Sequence, residues 1–138
     1  MKVVLDTNVV MSAIFFGGIP QRILTAFLED GFELVVSATI LKEYREVCIR
    51  LHEQHQGVDY RPALAMIEAA ATIIEPSALP APVCSDPDDD YFIACAVSSG
   101  AKIICSGDAH LLNVNGYNGI EILKPREGRE CDGTRGIW

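Results

Sequence analysis

The chain has 138 residues, 49% of them hydrophobic, which suits one domain with its own buried core and is too apolar for disorder along most of its length. Nineteen acids against eleven Lys and Arg give a net charge of −8, which at first sight argues against a nucleic-acid partner. No apolar run reaches the roughly 18–20 residues that span a bilayer. The opening "MKVVLDTNVV" is broken by Asp6 and Asn8 and lacks a small-residue cleavage site, so neither a membrane anchor nor a signal peptide is expected.

The elements alternate between two periods. "KVVLD" (2–6) is a short β-branched run of the kind buried on both faces of a sheet. A glycine turn at Gly17-Gly18 and Pro20 precedes "QRILTAFLED", where Ile23, Leu24, Phe27 and Leu28 have helical spacing, and Gly31 ends that helix. "FELVV" (32–36) is a second strand, and Ser37 is placed to cap a helix over roughly 38–51 with Ile40, Leu41, Tyr44, Val47, Cys48 and Leu51 on one face. After a polar loop at 52–58 come a helix over about 60–71 and a weak strand "TIIE" (72–75). "PSALPAPVC" reads as an extended surface connection. A helix from about 87 to 99 ends at Gly100, and the strands "KIICS" (102–106) and "GIEIL" (119–123) complete the pattern, closed by Pro125. The tail "REGRECDGTRGIW" is glycine-rich and charged, which predicts partial disorder over 126–138.

Strands alternating with helices predict an α/β domain with a mostly parallel sheet, spanning residues 1–125, whose ligands bind beyond the carboxyl ends of the strands. Asp6 ends the first strand and Asp108 lies just past "KIICS", so two carboxylates about a hundred residues apart are expected at one rim. Between the last two strand-like segments and the connection lies "SDPDDDYF" (85–92). Asp86 before Pro87 reads as a helix cap, and Asp88 and Asp89 as first-turn charges favoured by the helix dipole. Asp90 is spaced i, i+4, i+7 with Ala94 and Val97, which borders it on an apolar stripe without a nearby cation, and this predicts a metal or catalytic role. His52 and His55 have no third ligand and read as surface residues. Cys48, Cys95 and Cys105 sit among apolar neighbours as reduced thiols do, which points to the cytoplasm, and no CxxC suggests zinc.

Four segments in this order and spacing, "VVLDTNVVMSAI", "LVVSATILKEYREV", "DPDDDYFIACAV" and "IICSGDAHLL", resemble the PIN-domain family, most nearly the small prokaryotic members that are toxin components of toxin–antitoxin pairs. The resemblance covers roughly residues 2–125. It implies a three-layer α/β/α sandwich, a Mg²⁺- or Mn²⁺-dependent ribonuclease site, RNA as substrate, a cognate antitoxin as partner, and a homodimer. By position it implies that Asp6, Glu43, Asp90 and Asp108 are the catalytic and metal-binding acids, with Asn8, Ser106, Asp86 and His110 in support. Glu43 enters only this way, since beside Lys42, Arg45 and Glu46 it otherwise reads as a solvated helix residue. His110 stands where many members carry a second aspartate, which leaves either one ligand fewer at the second metal position or a softer ligand that favours manganese over magnesium. Gly128 interrupts the C-terminal helix that the family often has.

The chemistry is coherent. Hard divalent cations take oxygen ligands, and phosphodiester hydrolysis needs an activated water and neutralised charge, which such ions supply. Asp6, Glu43, Asp86, Asp88, Asp89, Asp90 and Asp108 are seven of the nineteen acids, and the other twelve nearly balance eleven bases at about −1, so acidity around cations is compatible with a phosphate-bearing partner. Dispersed basic residues such as Arg22, Lys42 and Arg45 suit salt-sensitive contacts to single-stranded RNA. Two rivals remain open at this stage. A phospho-aspartyl phosphatase needs an acid where Asn8 stands, and a receiver domain needs a lysine near Lys124. A PIN-like fold kept only for binding RNA or protein is the non-enzymatic alternative.

Overall fold

A computed structural model describes residues 1–128 and 137–138. In chain order the elements are β1 (Lys2–Leu5), α1 (Thr7–Phe15), α2 (Gly18–Leu28), β2 (Glu33–Ser37), α3 (Ala38–His52), α4 (Arg61–Ala70), β3 (Thr72–Ile74), α5 (Asp90–Ser99), β4 (Ile103–Cys105), α6 (Ala109–Leu112) and β5 (Glu121–Leu123). One-turn 3₁₀ segments occupy Pro87–Asp89, Tyr117–Gly119 and Pro125–Gly128. The five strands form one parallel sheet in the order β3-β2-β1-β4-β5, with Val3 opposite both Leu34 and Ile103. The expected α/β sandwich is the one observed.

Right-handed crossovers dictate the layers. The chain moves from β1 through β3 in one direction, which puts α1 to α4 on one face, where α1 packs against α2 and α3. It then reverses, which puts α5 on the opposite face, against β1 to β4. Because β1 is covered on both faces, Val3, Val4 and Leu5 are almost wholly buried, as are Leu34, Val35 and Val36 of β2. The reversal falls between β1 and β4, and the crevice at such a switch point is where this architecture binds ligands.

The periodicity reading assigns no element to 7–15, and the structure has a helix there. Six of its nine residues (Thr7, Val9, Val10, Met11, Ala13 and Phe15) are buried, so this helix has no polar face to give it a helical period, and its β-branched Val9 and Val10 read as strand. Tertiary packing overrides that local preference. Gly17 and Gly18, both at positive φ (79° and 72°), let the chain turn from α1 into α2 where a side chain would be strained.

Other ends follow the sequence signals. The Ser37 hydroxyl accepts from the amide of Ile40 at 3.1 Å and starts α3. Gly100, at φ 78°, ends α5 in the left-handed conformation. Cys48, Cys95 and Cys105 are buried thiols, with Cys84 a fourth. No single helix among the described residues is long and apolar enough to cross a membrane. The expected disorder over 126–138 falls mostly on residues 129–136, outside the described residues. On either side of these the chain is packed: Trp138 donates its indole N–H to the Pro125 carbonyl at 2.8 Å, and its ring meets Phe32 at a centroid distance of 6.1 Å.

A carboxylate cluster at the carboxyl rim of the sheet

Parallel pairing of β1 with β4 brings Asp6 and Asp108 to the same rim. The amide of Asp6 donates to the Cys105 carbonyl at 3.0 Å, which extends the ladder to the last residue before the loop. Beyond Cys105, the buried Ser106 hydroxyl donates to Asp6 Oδ2 at 2.8 Å and accepts from the Asp108 amide at 2.9 Å. One side chain therefore fixes both acids. Asp6 is 5% exposed, and burial pushes its carboxyl above the ordinary carboxylate range. The Ser106 hydrogen bond opposes that, and the charges of Asp108 and Glu43 add to it.

Glu43 reaches the cluster from α3. Its Oε2 accepts a hydrogen bond from the buried Thr7 hydroxyl at the start of α1. Beside it, the fully buried Tyr44 donates its phenol to the Leu5 carbonyl at 2.6 Å, locking α3 onto the end of β1. Burial, and then the charges of Asp6, Cys95 and Glu43, raise this phenol well above its usual range, so it remains a donor. Asn8 is exposed on the first turn of α1, and the hydroxyl that holds the site is that of its neighbour Thr7.

The aspartate run divides differently from the sequence expectation. Both oxygens of Asp90 are committed to the backbone: Oδ2 accepts from the amide of Val83 at 3.1 Å and Oδ1 from that of Cys84 at 2.7 Å. Asp90 thus ties the proline-rich connection to the head of α5. The carboxylate turned to the other acids is Asp89, which is 8% exposed and whose Oδ2 is buried without a hydrogen-bond partner. Burial pushes Asp89 up to about 6, with further contributions from the charges of Asp108, Asp6 and Asp86, while His110 draws it down. The signal for this was present one residue earlier. Asp89, Phe92, Ile93 and Ala96 are spaced i, i+3, i+4, i+7 and are all buried, whereas Val97 of the other stripe is 36% exposed.

Asp86 caps the 3₁₀ turn by accepting from the Asp88 amide at 3.0 Å. Asp108 Oδ1 accepts from the His110 amide at 2.8 Å, so this acid starts α6 with one oxygen and leaves Oδ2 for another role. His110 is exposed and lies close enough to Asp89 for its charge to be felt there.

Residues 2–110, which contain every one of these side chains, match the PIN domain. The chain belongs to the PIN-domain family. It is also similar to an uncharacterized protein of Methanocaldococcus jannaschii, 35% identical over 122 residues that cover 86% of this chain and 77% of that protein. PIN domains are generally nucleases and typically use divalent metal ions. The donors of this PIN domain suit that use: they are hard carboxylate oxygens, three of them mutually repelling, and the partnerless Asp89 Oδ2 is a buried acceptor awaiting a positive charge. Among the described residues no three acids, histidines or cysteines are drawn together at a spacing that grips an ion.

Proposed function

We propose that this PIN domain is a metal-dependent endoribonuclease in which Asp6, Asp89 and Asp108 bind Mg²⁺ or Mn²⁺ and Glu43 orients the attacking water. The observation that carries the proposal is the buried, partnerless Asp89 Oδ2 beside Asp6 and Asp108, because an uncompensated carboxylate in the interior costs several times what a paired one does. A bound divalent ion supplies charge neutralisation at the phosphate and a lowered pKa for its water. This chain's own residues do the rest. Ser106 favours the charged form of Asp6 against its burial, Thr7 holds Glu43 by a hydrogen bond, and Tyr44 ties α3 to the end of β1.

The reading includes single-stranded RNA as substrate, and, through the likeness to small prokaryotic toxin components, a toxin role with a cognate antitoxin, a homodimeric state and a cytoplasmic site of action. Purified protein with Mn²⁺ is expected to cleave single-stranded RNA, and Asp6→Asn prepared identically is expected to be inactive. Cleavage that persists in the variant, or a wild type inert on every RNA, would remove the proposal. Expression in a bacterial host tests the toxin role: growth arrest by wild type but not by Asp6→Asn is the expected pair of results.

A further inference from the structure

A pocket of about 210 Å³ opens beside the carboxylate cluster, between α3 and the head of α5. It is smaller than the roughly 300–1,000 Å³ typical of sites for drug-sized ligands, and so takes one flat ring rather than a whole metabolite. Its floor is made of the buried Ile40 and Phe92, and one wall is Tyr91, which is 51% exposed despite its size. An exposed aromatic ring in a concave site is what stacks an unpaired base. Glu43 lines this pocket and also belongs to the proposed catalytic cluster, so an occupant lies next to the scissile phosphate.

The rim is acidic where a phosphate pocket would be basic. Glu46 and Asp88 stand there with Glu43, and among the described residues Lys42 is the one cation lining it. Lys42 and Glu46 form an i, i+4 pair at 3.9 Å with both side chains mostly exposed, so that pair is weak and leaves the Glu46 carboxylate available. Ionised carboxylates only accept hydrogen bonds. They complement the exocyclic N–H₂ groups of cytosine, adenine and guanine, and they repel the carbonyl oxygen that uracil presents where cytosine has its amino group.

We propose that this pocket reads the base beside the cleaved phosphodiester: Tyr91 stacks it, and Glu46 and Asp88 select bases that carry an exocyclic amino group over uracil. The proposal rests on the ribonuclease reading above and extends it to sequence preference. Lys42 contacts a flanking phosphate, and Asp89, two residues before Tyr91, couples base recognition to the acids.

The test uses single-stranded oligoribonucleotides that are all uridine, or uridine with one cytidine or adenosine, in Mn²⁺. Wild type is expected to cut beside the amino base, with kcat/KM about ten-fold above the all-uridine strand. Tyr91→Ala is expected to raise KM about ten-fold, the scale of one lost stacking contact, and Tyr91→Phe to recover it. Glu46→Gln with Asp88→Asn is expected to reduce the preference ratio towards one. Fluorescence anisotropy of the same oligonucleotides separates the two readings. Weaker binding by Tyr91→Ala without any wild-type cleavage upholds the pocket and rejects the nuclease. Unchanged KM, binding and preference in Tyr91→Ala, with a wild-type melting curve, reject the pocket while leaving the nuclease intact.

Discussion

Ser106 and Asp6, a hundred residues apart in sequence, meet at 2.8 Å, hydroxyl to carboxylate, and the same hydroxyl takes the Asp108 amide. That bond favours the charged form of Asp6 against the burial that disfavours it. Removing it in Ser106→Ala raises the Asp6 pKa further. The acid limb of the pH–rate profile for cleavage is therefore expected to move to higher pH, with activity at neutral pH falling by about 10–100-fold, the usual cost of losing an outer-shell partner. An unshifted acid limb would show that Ser106 does not tune this acid.

Thr7 bears the same relation to Glu43. Thr7→Val keeps the volume and the buried methyl but loses the hydroxyl that Glu43 accepts. The fold and its melting temperature are expected to change little, while kcat drops by about ten-fold or more and KM for RNA changes less. A KM effect alone would place Glu43 in substrate binding instead.

The two hydroxyls and the four acids were unequally legible in the sequence. Asp6 and Asp108 followed from strand order alone, because a parallel α/β sheet brings its strand ends to one rim. Glu43 did not, since a helix with Lys42, Arg45 and Glu46 around it looks solvated, and only the four-motif resemblance singled it out. The unassigned α1 and the division of the aspartate run share one cause. Both depend on which face is buried by tertiary packing: a helix buried all round leaves no polar contrast to read, and in the aspartate run two adjacent acids each head an apolar stripe, of which packing buries the one that starts at Asp89. Thr7 had no signal of its own beyond following Asp6.

Without a cation, Asp89 should make stability depend on pH in an unusual direction. Its carboxyl sits at about 6 in the folded chain, against roughly 3.9 when unfolded. Since the folded value is the higher one, its contribution is full below about pH 4 and is lost as the pH rises through 6. In urea titrations with EDTA, wild type is thus expected to lose about 1–3 kcal/mol relative to Asp89→Asn between pH 4 and pH 7. Parallel profiles for the two proteins would mean that Asp89 is not the strained group.

Binding of a cation relieves the same repulsion. Millimolar Mg²⁺ or Mn²⁺ is expected to raise the melting temperature of the wild type over that in EDTA, and to shift Asp6→Asn and Asp89→Asn far less. An equal shift in all three would assign the metal to some other surface.

The most direct measurement compares two adjacent carboxylates, Asp89→Asn and Asp90→Asn, for cleavage of single-stranded RNA in Mn²⁺ and for urea unfolding. Asp89→Asn is expected to lose cleavage while matching or exceeding wild-type stability in EDTA, since it removes a buried charge with no partner. Asp90→Asn gives up an acceptor for the Val83 and Cys84 amides, so it is expected to lose about 1.5–3 kcal/mol of stability and still cleave when folded. The reverse pattern, an active Asp89→Asn beside a stable but inactive Asp90→Asn, would contradict this assignment of the site.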